Sequence, residues 1–153
     1  MKIKYLFIYI LLVSCANNKI EKSNDPIEKS ESILKGISNQ EYELVRNQFV
    51  GRKETIEKYK GTLDALSMEI FGAIKKYGLP NKKQIKIIGK EKLGIPKDYG
   101  DEFNGDFVDI TSTKIILGQK KEFEIEMGFI MKNDEARLLR ISADDKTKDP
   151  HLK

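Results

Sequence analysis

The stretch EFEIEMGFIM, residues 122–131, decides the fold. Large apolar side chains occupy every second position, and the positions between them begin with three glutamates. Alternation of this kind is typical of a β-strand with one buried face and one solvated face. The apolar set is Phe123, Ile125, Met127, Phe129 and Met131, and the acidic set is Glu122, Glu124 and Glu126.

Turn signals and further β-rich segments surround this strand. Asn133-Asp134 predicts a hairpin turn, and Gly118-Gln119 predicts a second turn on the other side. Residues 93–105 are dense in Gly, Pro, Asp and Asn, which predicts a loop. The pattern therefore predicts an antiparallel meander of about four strands, which cover residues 84–89, 107–117, 122–131 and 136–143.

A helical pattern precedes the strands. Apolar residues follow a 4-3-4-3 spacing that predicts one long helix over residues 40–77, or two helices broken near Gly61. Ser38 and Glu41 have the spacing of a capping box, and Gly78 and Pro80 would end the helix. The apolar stripe consists of Val45, Phe49, Ile56, Tyr59, Leu63, Leu66, Ile70, Ala73 and Tyr77.

The stripe has two interpretations. It can be a coiled-coil surface for a partner, or it can pack on the chain's own sheet. We favour packing on the sheet because the strands need cover. A shorter helix is predicted over residues 26–35, with Asp25 as its cap, Pro26 at its first position and Gly36 as its end.

Helices followed by strands predict an α+β domain in which the helices cover one face of the sheet. Over residues 40–143 this order of elements resembles the cystatin-like and nuclear-transport-factor-like superfolds. The resemblance implies a long helix wrapped by a curved sheet, as in many small bacterial lipoproteins. Neither superfold fixes a function.

The N-terminus carries a second signal. Lys2 and Lys4 precede an apolar run, residues 5–13, which is too short for a membrane span of roughly 20 residues. Ser14 and Cys15 follow directly, and Leu12-Val13-Ser14-Cys15 resembles the lipobox of bacterial lipoprotein signal peptides. The resemblance implies cleavage between Ser14 and Cys15, and acyl chains such as palmitate on Cys15. Several chains on one residue would anchor the protein stably.

These signals predict the organisation of the chain. We expect a signal peptide over residues 1–14, the lipidated cysteine with a flexible tether over 15–24, one α+β domain over 25–145, and a disordered tail over 146–153. Ala16 stands where an Asp commonly marks retention at the inner membrane. Similarity to lipoproteins therefore implies a location in the cell envelope, at the outer membrane if the host is Gram-negative.

The charge balance and the cysteine count limit which partners and which cross-links the chain can have. The chain of 153 residues has 28 basic and 24 acidic residues, and loss of Lys2 and Lys4 with the signal leaves a net charge of +2. A nucleic-acid partner is therefore not expected. Cys15 is the only cysteine, so the domain forms no internal disulfide and relies on its core.

Few residues suggest catalytic or metal chemistry. The only histidine, His151, lies in the expected tail, where nothing would fix its geometry. Asp98, Asp101 and Glu102 lack the ligand spacing of the helix-loop-helix calcium site. No Gly-rich phosphate loop is present. We therefore predict no metal site, no cofactor and no histidine-dependent catalysis.

Charged side chains of the sheet have simpler interpretations. The three glutamates of residues 122–126 could form acid–base pairs, but cross-strand ion pairs with Arg137 or Arg140 are commoner. A basic stretch follows the helix and could contact anionic headgroups or cell-wall polymers. It contains Lys75, Lys76, Lys82, Lys83, Lys86, Lys90 and Lys92.

Three functional hypotheses remain open. The first is a non-enzymatic, lipid-anchored module that binds an envelope protein or a small apolar ligand. The second is a small enzyme with an acidic and tyrosine-containing pocket on the concave face of the sheet. The third is a structural or inhibitory module of cystatin-like shape. An enzyme needs converging buried ionisable groups, and a binding module needs an exposed apolar patch.

Overall fold

The computed structural model describes residues 19–95 and 107–148. Helices come first and strands second, as the sequence predicts. The helices are α1 (Pro26–Ser38), α2 (Tyr42–Arg46), α3 (Lys53–Lys58) and α4 (Lys60–Tyr77). After a short 3-10 turn (Lys82–Gln84), the strands are β1 (Ile85–Gly94), β2 (Phe107–Leu117), β3 (Phe123–Lys132) and β4 (Glu135–Asp145).

The strands form one antiparallel sheet in the order β1-β2-β3-β4, which confirms the predicted meander and the α+β class. Asn133 and Asp134 make the β3–β4 turn with φ of 51° and 58°, values that asparagine and aspartate tolerate better than most residues. Strand β1 continues to Gly94, into the predicted loop. Its second half is exposed at the sheet edge, so no alternation of polarity marks it.

The prediction of a single long helix over residues 40–77 is wrong, because three separate helices occupy this range. The chain leaves the helical path after Arg46 and returns to it at Lys53. Between them Phe49 pairs in parallel with Leu138 at the β4 edge, and Val50 N donates to Leu138 O over 2.8 Å. Gly51 makes this excursion possible with φ of 145°. A second break falls at Tyr59 rather than at Gly61, and Tyr59 is half exposed.

The helix α1 begins as predicted and ends later. The Asp25 carboxylate accepts a hydrogen bond from Ile27 N, and Pro26 occupies the first position. Gly36 does not end the helix. A Cβ there would lie 3.3 Å from Ile20 Cδ1, so this glycine allows the N-terminal segment to approach closely.

The predicted capping box is also absent. Ser38 is the last residue of α1, and the Glu41 side chain makes no capping hydrogen bond. Its Oε1 is buried without a hydrogen-bond partner in the part of the chain that the structure describes.

The main core lies between the helical layer and one face of the sheet. The predicted strand alternation holds from Phe123 to Phe129, but Met131 is 53% exposed beyond the helical cover. The fully buried apolar side chains in this core come from α1, α4, β2, β3 and β4. They are Ile33, Leu34, Ile37, Ile70, Ile115, Ile125, Met127, Ala136 and Leu138.

The structure differs from the expected domain limits at both ends. Residues 19–24, assigned to the tether, lie on the domain, where Ala136 N donates to Ser23 O over 2.8 Å. Residues Lys146–Lys148, assigned to the tail, form a 3-10 turn. There Lys148 Nζ contacts Glu69 over 2.8 Å and Asp145 over 3.3 Å.

Candidate functional site

The helices cover one face of the sheet and leave the other largely to polar side chains. This open face carries Glu124 and Glu126 of β3, as predicted. Their ion-pair partner is Lys114 of β2, whose Nζ lies 2.7 Å from Glu126 and 3.3 Å from Glu124. Lys146 adds a contact of 3.5 Å to Glu124. The predicted partners Arg137 and Arg140 do not take part in this network.

The network keeps its lysine charged. The hydrogen bonds from Lys114 to Glu126 and then to Glu124 raise the pKa of Lys114 above its ordinary value. A cation held between two carboxylates is an ordinary cross-strand arrangement of a solvated sheet. Glu124 and Glu126 are therefore both engaged in the ion pairs of a structural network.

Arg140 crosses the open face from β4 to the far edge. Its guanidinium donates to Ser112 Oγ of β2 over 3.1 Å and to Glu91 of β1 over 2.5 Å. It passes over Gly128, where an added Cβ would meet Arg140 Cγ at 2.8 Å. Glycine at this position of β3 therefore lets one arginine connect all four strands.

Arg137 has a different role. It donates to the backbone carbonyls of Asn47, Gln48 and Phe49 over 2.8 to 3.3 Å. These contacts hold the excursion between α2 and α3 against the edge of β4. Near it, a small second core covers one end of the open face and consists of Val50, Ile95, Ile110, Ile130 and Leu139, with Val108 beside it.

At the other end of the open face lies a groove of about 360 Å³, which we call the basic groove. Ile88, which is 50% exposed, and the half-buried Ile116 supply its apolar part. Ile88 is the extra residue of a β-bulge in β1, between Ile87 and Gly89. The complete lining is Lys83, Gln84, Lys86, Ile88, Lys114, Ile116 and Lys121.

No carboxylate lines the basic groove, although four lysines do. Lys114 is offset by Glu124 and Glu126, but Lys83, Lys86 and Lys121 have no ion pair within residues 19–95 and 107–148. The simplest interpretation of these lysines is that they, together with the bulge, protect the edge strand β1 against pairing with other chains. Lys121 lies outside that strand, in the β2–β3 turn, and Ile116 lies on β2, so edge protection does not account for the whole groove.

The lysines of the predicted basic stretch lie in different surroundings, and only some of them line the basic groove. Lys82 contacts Glu28 over 2.8 Å, and that hydrogen bond raises the pKa of Lys82. Lys75 and Lys76 lie on α4, above the rings of Phe71 and Tyr77. Only two members of the stretch line the basic groove, Lys83 and Lys86. The other two lining lysines, Lys114 and Lys121, belong to separate elements, and no local pattern in the sequence links them to this groove.

The N-terminal segment reaches the domain beside the same region. Lys19, the first described residue, lines a cavity of about 420 Å³ together with Lys35 and Lys82. Lys82 precedes Lys83 of the basic groove. Cys15 itself lies outside the described residues, four positions before Lys19.

A buried ion pair fixes this segment. Lys29 of α1 is fully buried, and its Nζ donates to Glu135 over 2.6 Å and to Glu21 O over 3.1 Å. It therefore joins the N-terminal segment to the start of β4. Burial raises the pKa of Glu135, but the hydrogen bond and charge of Lys29 outweigh it and lower that pKa. No local sequence pattern indicates this pair, because its members are 106 residues apart.

Several residues singled out from the sequence lie outside the described residues. They are Ser14, Cys15, Asp98, Asp101, Glu102 and His151. Within the described ranges, no group of three or more His, Cys, Asp or Glu side chains is arranged to hold a metal ion. The described tyrosines are Tyr42, Tyr59 and Tyr77, which belong to the helical segments and not to the strands.

The described helices include none that is both long and apolar enough to cross a bilayer. Comparison of the chain with protein-family models, with curated proteins and with solved structures gives no match.

Proposed function

We propose that this chain is a lipid-anchored envelope protein whose α+β domain is a non-enzymatic binding module. The anchor rests on Leu12-Val13-Ser14-Cys15 after a positive start and a short apolar run. In a host with two membranes, Ala16 favours the outer one. The anchor and the domain are separate parts of the proposal, and each has its own support.

The basic groove carries the binding part. It combines a half-exposed isoleucine with lysines whose charges are not offset, which is the chemistry of a surface that attracts an anionic partner with an apolar portion. The interface between helices and sheet is filled by the main core. The open face therefore offers a better place for a ligand than the space between helix and sheet.

A structural or inhibitory module is the second candidate. The layer of helices over one face of a four-stranded meander supports a cystatin-like shape. An inhibitor of that kind should slow papain-like proteases at stoichiometric concentration. Unchanged proteolysis at a large excess of the mature protein would eliminate the inhibitory role.

The anchor is tested by metabolic labelling with a clickable fatty acid. The wild-type chain should incorporate label and sediment with membranes, and Cys15→Ser should lose the label and remain uncleaved or soluble. Ser14→Ala is the matched control, since it keeps a small residue before the cysteine and should retain the label. Equal labelling of wild type and Cys15→Ser would show that Cys15 is not the acylated residue.

A further inference from the structure

The charge of the basic groove is concentrated at three side chains from different elements. Lys83 belongs to the 3-10 turn, Lys86 to β1 and Lys121 to the β2–β3 turn. All three are exposed. Their neighbours Lys82 and Lys114 are held by carboxylates at 2.8 and 2.7 Å, so the excess positive charge of this region lies at the groove itself.

The apolar part of the groove has a matching geometry. The β-bulge places Ile88 beside the lysines with half of its surface in solvent, and Ile116 of the neighbouring strand lies next to it. Lysines around a small apolar surface suit the boundary of a bilayer, where anionic headgroups lie above acyl chains. A purely ionic polymer would bind the lysines but would make no apolar contact with Ile88.

The attachment point of the chain brings this groove near a membrane. Lys19 is four positions after Cys15, so the Cys15 backbone lies within about 14 Å of Lys19 even when the chain is fully extended. Lys19 and Lys82 line one cavity, and Lys83 follows Lys82. Acyl chains on Cys15 would therefore hold the lysine-rich turn close to the bilayer surface.

We propose that the basic groove binds the anionic lipid headgroups of the membrane in which Cys15 is anchored. The location near Cys15 rests on the proposed function, whereas the headgroup binding does not. Together, acylation and the groove would be two membrane signals, and the second would orient the domain with β1 and the β2–β3 turn toward the bilayer.

The first test uses the mature chain with Cys15→Ser, which carries no lipid. It should co-sediment with phosphatidylcholine vesicles that contain phosphatidylglycerol, should not do so with phosphatidylcholine alone, and should be released by salt. A lysine near an anionic surface contributes about fivefold in affinity, so replacing Lys83, Lys86 and Lys121 by Gln should weaken binding about 100-fold.

The matched control removes the same charge elsewhere. Lys53, Lys58 and Lys60 are exposed on the helical layer, and their replacement by Gln should change binding less than about twofold. Circular dichroism verifies that both triple variants are folded. Equal losses in the two variants, or no binding to the anionic vesicles, would overturn the proposal. Binding to purified anionic cell-wall polymer in preference to vesicles would overturn it too.

The second test uses the lipidated protein on the same two kinds of vesicle. An amine reagent that does not cross membranes should label Lys83, Lys86 and Lys121 more slowly on anionic vesicles than on neutral ones, and Lys53 equally on both. Equal labelling at the groove would contradict the proposal. A wild-type chain that is purified from membranes without fatty acid on Cys15, and that still binds anionic vesicles, would refute the anchor and leave the groove intact.

Discussion

Replacing Lys29 by Met tests how the N-terminal segment is held. The substitution keeps the apolar stem of a fully buried side chain and removes the ammonium that contacts Glu135 and Glu21 O. Removing one partner of a buried pair costs about 3–5 kcal/mol. Glu135 keeps 17% of its side chain exposed, so water can partly replace the lost partner and we expect about 2–3 kcal/mol.

Urea unfolding of the mature chain with Cys15→Ser measures this cost. Lys35→Met is the matched control on the same helix, because Lys35 is 59% exposed and lies 3.8 Å from Glu31. It should cost less than about 0.5 kcal/mol. Adding Glu135→Gln to Lys29→Met should restore part of the loss, since the second change removes the unpaired carboxylate. A similar cost for both lysines would refute the burial argument.

The pH dependence follows from the pKa of Glu135, which Lys29 lowers. A lowered carboxylate pKa contributes stability above the unfolded pKa of about 4.3, and that contribution is lost as the pH falls through the folded value. The difference in unfolding free energy between wild type and Lys29→Met should therefore shrink on acidification from pH 7 to below about 4. A difference that is constant over this range would show that the ion pair contributes nothing.

Three other predictions address the sheet. Phe129→Ala should cost about 3–5 kcal/mol in urea unfolding, because Phe129 is buried in the main core. Glu124→Ala on the open face should cost about 0.5–1 kcal/mol, and similar urea midpoints for the two variants would mean that the faces of β3 are wrongly assigned. Gly128→Ala should displace the Arg140 side chain, and the crystal structure of that variant would contradict this if the contact to Glu91 were unchanged. Thr113→Val should cost about 1 kcal/mol, since its buried 2.8 Å hydrogen bond to Ser30 is lost while Ser30 keeps its bond to Pro26 O; a double-mutant cycle with Ser30→Ala that gave no coupling would refute this contact.

The sheet could be predicted because its signals are local. The alternation from Phe123 to Phe129 and the Asn133-Asp134 turn each depend on neighbouring residues, and both are found in the structure. The end of β1 was missed for the opposite reason. An edge strand exposed on nearly every residue imposes no pattern of polarity on its sequence.

The helical layer shows where periodicity misleads. The apolar spacing continues through Phe49 in helical phase, yet Phe49 pairs with Leu138 and Val50 joins the second core. Only the pairing of Phe49 with Leu138, 89 residues later in the sequence, distinguishes this excursion from a continuous helix. The basic groove has the same property, since its four lysines come from the 3-10 turn, β1, β2 and the β2–β3 turn, and their proximity depends on the finished sheet.

The most direct test of the central claim is intact mass spectrometry of the protein purified from bacterial membranes. Lipid anchoring predicts a chain that begins at Cys15, lacks residues 1–14 and carries the added mass of a diacylglycerol, with a further acyl group on its amino terminus in many hosts. A chain that retains Met1, or one that begins near Cys15 with an unmodified thiol, would contradict the account.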